Sequence, residues 1–205
     1  MNIPLNGDVQ CTDGAGGQVV AAVLDPVRWT MSHLVIDIKG HGHREYLAPL
    51  DLIADDTAHG ISLNCSKDGL SHLAPFLETE IAEDQGIGLP NAEGLAYAEF
   101  QSGLSATDFS MTSGGPAYVD VEAIPDNELA TRHGIPVYAT DHQVGQLDEL
   151  VITPESGQIT HVVLKEGHLF GKKEIAVPVG QVDRIGEVAV HLKLAKHEVE
   201  QLPSL

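Results

Sequence analysis

Basic residues are scarce in this sequence. Its 205 residues include 11 Lys and Arg against 30 Asp and Glu, a formal net charge of −19. So acidic a chain gains nothing from a phosphate backbone and is repelled by anionic lipid headgroups, which argues against nucleic-acid binding and adsorption to membranes. Aromatic residues make up only 4% of the chain, too few for a base-stacking platform. There are two cysteines, Cys11 and Cys65, and no C-x-x-C. That is no disulfide framework, and two buried free thiols in a reducing cytoplasm are expected. The longest apolar run covers residues 19–24, well short of the roughly 20 residues of a spanning helix. The first eight residues have neither a basic start nor an apolar stretch, so no secretory leader is expected. No G-x-S-x-G, H-E-x-x-H or Walker-type loop occurs, and a non-enzymatic chain without a cofactor is the expectation.

Apolar residues make up 42% of the chain, enough to build a core. The acidity is concentrated. Residues 1–67 carry a net −4 and residues 132–205 a net −3, whereas residues 68–131 contain no Lys or Arg and carry −12. That middle is punctuated by Gly86-Ile87-Gly88-Leu89-Pro90 and Ser113-Gly114-Gly115-Pro116, which reads as a connector. Leu95, Tyr97, Phe100, Phe109 and Tyr118 give it a few anchoring side chains.

The flanking segments repeat one another. At an offset of 128, Thr12-Asp13 matches Thr140-Asp141, Gly17-Gln18 matches Gly145-Gln146, and Val23, Pro26, His33 and Val35 match Val151, Pro154, His161 and Val163. One inserted residue shifts the offset to 129. Glu45, Pro49, Leu63, Lys67 and Leu73 then match Glu174, Pro178, Leu192, Lys196 and Leu202.

In the second copy, residues 135–139, 146–152, 159–165, 174–177 and 188–194 read as short strands, the last with Val188, Val190, Leu192 and Leu194 inward. Thr153-Pro154-Glu155-Ser156-Gly157 is a hairpin turn, and residues 196–202 suit a short terminal helix. The first copy has matching strands at 19–24, 33–39, 46–48 and 61–65, then a helix start capped by Ser66. Gly14-Ala15-Gly16-Gly17 reads as a turn rather than a phosphate cradle. Strands this short bury their edges best by closing into a small barrel.

The runs Gly145-Gln146-Leu147-Asp148-Glu149-Leu150-Val151-Ile152, Ser156-Gly157-Gln158-Ile159-Thr160-His161-Val162-Val163, Gly167-His168-Leu169-Phe170-Gly171 and Ile175-Ala176-Val177-Pro178 resemble the PRC-barrel family over nearly the whole second copy. The first copy is similar in diverged form and has Gly40-His41-Gly42-His43 where the second has its Leu-Phe loop. The resemblance implies a mainly β chain of two small PRC-type barrels in tandem, each ending in a short helix, joined by an acidic connector. The expected division is a diverged domain at 1–77, the connector at 78–131 and a PRC-barrel domain at 132–205. The order is similar to bacterial proteins with PRC-barrels. The family includes the cytoplasmic domain of the photosynthetic reaction-centre H subunit and a domain of a ribosome maturation factor. This chain lacks the former's membrane helix and the latter's distinct N-terminal barrel.

What the resemblance implies is binding to other macromolecules, not a reaction. A cytoplasmic protein-binding or scaffold protein is expected, docking on a larger assembly or on a second copy of itself. The candidate contact residues are His168, Leu169 and Phe170, at a glycine-flanked tip where large apolar side chains fold back or meet a partner, with Lys172 and Lys173 beside them. His33 and His161, at equivalent strand positions, are expected to be hydrogen-bonded structural residues. His41 and His43 form an H-x-H pair without an evident third ligand. They carry the alternative expectation, a metal or pH sensor built on the chain's 11 histidines.

Overall fold

A computed structural model describes residues 1–38, 44–57, 60–81, 118–166 and 173–204. In chain order the strands are β1 (Asn2–Pro4), β2 (Asp8–Cys11), β3 (Gly14–Asp25), β4 (Thr30–Ile38), β5 (Arg44–Pro49), β6 (Ile53–Thr57), β7 (Gly60–Leu63), β8 (Leu77–Ile81) and β9 (Tyr118–Glu122). They continue with β10 (Leu129–Arg132), β11 (Pro136–Tyr138), β12 (Gln143–Ile152), β13 (Ile159–Glu166), β14 (Lys173–Pro178), β15 (Val182–Ile185) and β16 (Val190–Leu192). Two short helices, α1 (Lys67–Ser71) and α2 (Lys196–Val199), follow β7 and β16. Ser66 caps α1, its hydroxyl accepting from the Gly69 N–H at 3.1 Å.

Two compact units result: Met1–Phe76 with Ala123–Leu205, and Leu77–Glu122. In the latter, β8 and β9 form an antiparallel pair, from Leu77 opposite Glu122 to Ile81 opposite Tyr118. The larger unit holds both repeats as two seven-stranded sheets. Their orders, β5-β4-β3-β2-β7-β6 and β14-β13-β12-β11-β16-β15, correspond strand for strand. Even the parallel pairs match: Val9 lies opposite Ile61 and Val137 opposite Val190.

The seventh strand of each sheet comes from the other half. β1 precedes the first repeat yet pairs with β12, placing Asn2 opposite Val151. β10 precedes the second repeat yet pairs with β3, placing Ala130 opposite Val23. The two pairings are identical at the repeat offset of 128. The exchange surrounds an approximate two-fold centre where Thr30 bridges Gln158, its own counterpart. There Met31 N donates to Gly157 O at 2.9 Å and Ile159 N to Trp29 O at 2.8 Å. The Asp56 carboxylate ties the exchanged strand to the first sheet by accepting the Asn2 N–H at 2.8 Å.

Inner-facing residues of both sheets merge into one core. Leu34, Ile36 and Ile61 of the first half share it with Leu150, Leu164 and Val190 of the second, and with Ile3 from β1. The glycines at 14–17 lie within the long strand β3, not in a turn. Their missing side chains hid the strand alternation, and Gly17 is required by a neighbour: a Cβ there would stand 2.2 Å from the Asp37 carbonyl oxygen. Gly145, its counterpart, is held by the Lys165 carbonyl oxygen at 2.5 Å from the same added atom. Val188 is not inward as expected. It is 79% exposed, because it sits ahead of the strand, which spans only Val190–Leu192.

A second, smaller cluster covers the outer face of the first sheet. Ala21, Val23, Val35, Leu47 and Ala130 pack under Phe76, with Ile124 against them. Alternation along β3 therefore buries both of its faces, Val19, Ala22 and Leu24 inward and Ala21 and Val23 outward.

Two expectations follow from the exchange. Gly157 has φ +66°, and a Cβ there would stand 2.4 Å from the Met31 carbonyl oxygen at the two-fold centre. Gly157→Ala is expected to destabilise the unit by about 2 kcal/mol or more, read by urea unfolding, with Trp29 fluorescence and far-UV circular dichroism giving one coincident transition. Separated transitions would show that the halves unfold independently. The Asn2 N–H is also the main reason the Asp56 pKa is lowered from its usual carboxylate range. Its folded pKa lies below its unfolded one, so its contribution is present above roughly pH 4 and is lost as the pH falls through the folded value. Asp56→Asn is expected to lower the melting temperature at pH 7 and to flatten its decline between pH 5 and 3.

Candidate interaction face

Among the described residues, no apolar cluster like that under Phe76 lies on the outer face of the second sheet. Register and alternation place Glu149 and Val151 of β12, His161, Val163 and Lys165 of β13, and Glu174, Ala176 and Pro178 of β14 on one face. A groove of about 370 Å³ lies there, lined by Val151, His161, Ala176 and Pro178 of the sheet, by Leu202 and Pro203 of the segment after α2, and by Asn2 of the exchanged strand. Its lining is mainly apolar because the sheet's alternation puts Val, Ala and Pro on this face while Val162 and Leu164 take the core.

Next to the groove is a charged cluster. Asp148 is only 6% exposed by side chain, and its Oδ2 lies 2.5 Å from Lys165 Nζ. Its Oδ1 lies 3.1 Å from His133 Nε2. Lys165 also reaches Glu174 Oε1 at 3.4 Å. Burial works against the Lys165 charge, but the hydrogen bond it donates to Asp148 and the charges of the Asp148 and Glu174 carboxylates outweigh it and raise its pKa. Glu149, half-buried, is pushed up by burial and then by the charges of Asp148 and Glu174. No ion pair of the Glu149 side chain is present among the described residues. At the repeat offset the counterparts of His133, Asp148 and Glu149 are Leu5, Val20 and Ala21. Sequence reasoning missed the cluster because it sought where the copies agree. The signal was where they differ: three polar residues standing at apolar positions of the other copy.

The residues proposed from sequence fall elsewhere. His168, Leu169, Phe170 and Lys172, like His41 and His43, lie outside the described residues. Lys173 begins β14, where its Nζ donates to the Glu200 carbonyl oxygen at 3.2 Å. His33 and His161 each have Nδ1 against the neighbouring hydroxyl, Ser32 at 2.9 Å and Thr160 at 3.1 Å. Among the described residues no cluster of three or more His, Cys, Asp or Glu side chains is arranged to hold a metal ion. Cys11 is buried and Cys65 half-buried, both free. Burial first, then the neighbouring Cys65, pushes the Cys11 thiol up to about 11, far from the range of an activated nucleophile.

The Asp148–Lys165 pair has a consequence for stability. Removing the cation leaves the buried Asp148 carboxylate, among the described residues, with His133 alone on Oδ1 and nothing on Oδ2, the costly way to break such a pair. Lys165→Met is expected to destabilise the unit by about 2–3 kcal/mol, and adding Asp148→Leu to recover most of it, as measured by urea unfolding.

No curated protein matches the chain. The PRC-barrel domain model matches residues 133–197. That stretch holds β11 to β16, the whole run of the second sheet apart from the strand it borrows. No helix among the described residues is long and apolar enough to cross a membrane. Over residues 133–197 the chain is similar to the PRC-barrel domain family.

Proposed function

We propose that this chain is a non-enzymatic protein-binding scaffold in which two PRC-type barrels, the first diverged, act as one rigid body. The PRC-barrel domain is generally a protein-interaction module. One observation carries the reading. The two halves spend their inner faces on a common core, the first half covers its outer face with Phe76 and Ile124, and among the described residues the second half carries an apolar groove beside half-buried charge. An apolar groove rimmed by polar groups is the surface such a contact would use.

The net charge of −19 favours a basic protein surface over a nucleic acid. The family resemblance favours docking on a large cytoplasmic assembly, photosynthetic or ribosomal. The stretch 68–131 between the repeats carries −12 of the −19. Affinity capture of the full chain from native lysate at moderate salt is expected to recover one stoichiometric protein partner, and sedimentation velocity to report any self-association. Recovery of no specific partner together with a strict monomer would overturn the reading. Co-sedimentation with small-subunit ribosomal precursors separates a ribosomal partner from others.

A further inference from the structure

We propose that Cys11 and Cys65 are a redox pair that closes to a reversible disulfide when a low-molecular-weight disulfide oxidises them. The inference goes beyond the protein-binding reading and does not depend on it.

The fold brings the two thiols together. Alternation turns Val9 and Cys11 of β2 inward, and Ile61 and Leu63 of β7 likewise. Cys65 continues that series past the strand end and packs against the same core as Cys11. β2 and β7 are parallel neighbours, with Val9 opposite Ile61. Just beyond them the Thr12 N–H donates to the Cys65 carbonyl oxygen at 3.0 Å, and the Thr12 hydroxyl to the same oxygen at 3.3 Å. Thr12 follows Cys11 directly, so these bonds hold the two cysteine backbones side by side. The Cys11 S–H donates to the Cys65 sulfur. Gly16 makes the room: a Cβ there would stand 2.5 Å from Cys11 Sγ.

The second half shows that packing does not call for sulfur here. Thr140 N donates to Leu194 O at 2.9 Å, the same bond at the repeat offsets. Ala139, Val144 and Leu194 stand there for Cys11, Gly16 and Cys65. Ordinary apolar side chains fill the place that the first half gives to two thiols.

Burial divides their roles. Cys11 is buried, whereas Cys65 is half-buried and is the thiol that a reagent in solution meets. Burial raises the Cys65 pKa, and the hydrogen bond from Cys11 works against that rise. In the first step the Cys65 thiolate attacks one sulfur of the reagent disulfide, a mixed disulfide forms, and one reagent thiolate leaves. In the second, Cys11 gives its proton to solvent, its thiolate attacks the Cys65 sulfur, and the other reagent thiolate leaves. Two protein thiols and one reagent disulfide become one protein disulfide and two reagent thiols, with two electrons passed to the reagent. The high pKa of Cys11 slows the second step, and its fixed position beside Cys65 offsets this. The bond closes a loop that holds β3 to β7 and ties the start of α1 to β2.

The test incubates the full chain with oxidised glutathione at pH 8, quenches it in acid, alkylates it and weighs it intact. The expected product resists alkylation, weighs two hydrogens less than the reduced chain and keeps the native far-UV circular dichroism spectrum. Digestion without reductant is expected to release one peptide pair joined through Cys11 and Cys65, and dithiothreitol to restore both thiols. Cys11→Ala, which copies Ala139, is expected to stop at one glutathione on Cys65. Cys65→Leu, which copies Leu194, is expected to leave Cys11 about tenfold or more slower to react than Cys65 is in Cys11→Ala. The wild-type measurement needs neither variant to fold. Glutathione on both cysteines without an internal cross-link would overturn the proposal, and so would a disulfide between two chains. Thiols that stay free in the native chain while those of the urea-unfolded chain oxidise would overturn it as well, as would a cross-link that forms only with loss of the native spectrum.

Discussion

Everything in the larger unit depends on the reciprocal loan of one strand. β1 completes the second sheet and β10 the first, at the same register, around a centre where residues 29–31 and 157–159 hydrogen-bond to each other. Backbone pairing leaves little choice once this is set. Ile3 must enter a core built mostly from the other half, and the inner faces of both sheets must close on one another. The centre itself carries a local cost. The left-handed position at the turn is Gly157 in one half and Trp29, at φ +58°, in the other, and such a conformation disfavours any side chain with a Cβ. The Asp25 carboxylate, accepting from the N–H groups of Val27 and Arg28 at 2.8 and 2.9 Å, holds that turn.

The repeat is symmetric in its backbone and asymmetric in its outer chemistry. The conserved pairing of Asp13 with the Lys67 N–H and Asp141 with the Lys196 N–H, at 3.0 and 2.9 Å, anchors the helix of each half in the same way. Outer-face residues diverge instead: Ala21 against Glu149, Val20 against Asp148, Leu47 against Ala176. The inner faces cannot diverge freely, because each faces the other across a shared core packed to solid-like density. The outer faces meet no such constraint, which is why one became a second apolar cluster and the other a groove with a charged margin.

Much of the strand layout was legible from residues alone. Pro154 with Gly157 marked the β12–β13 hairpin, alternation in 159–165 gave β13, and Ser66 announced α1. The glycines of 14–17 concealed the start of β3, since a residue without a side chain carries no periodic signal. β1 and β10 were invisible for a different reason. Three- and four-residue strands carry almost no pattern, and their partners lie far away in sequence, so only tertiary pairing makes them strands. The expected connector ends at residue 131, but Leu129–Arg132 is a strand of the first sheet. The groove escaped because it is defined by what covers the other half, and Phe76 and Ile124 have no sequence mark that distinguishes a plug from any buried side chain.

The crossed strands also constrain the order in which a ribosome can deliver the fold. Asn2 precedes its partner Val151 by 149 residues, and the first sheet waits for Ala130, at the end of the acidic middle. Neither sheet can be finished while the nascent chain is half made, so the first half must idle with an open edge until the second arrives. A long acidic stretch between them repels other acidic copies emerging nearby. Like charge of that kind opposes edge-to-edge pairing in the interval when an edge strand is unpaired.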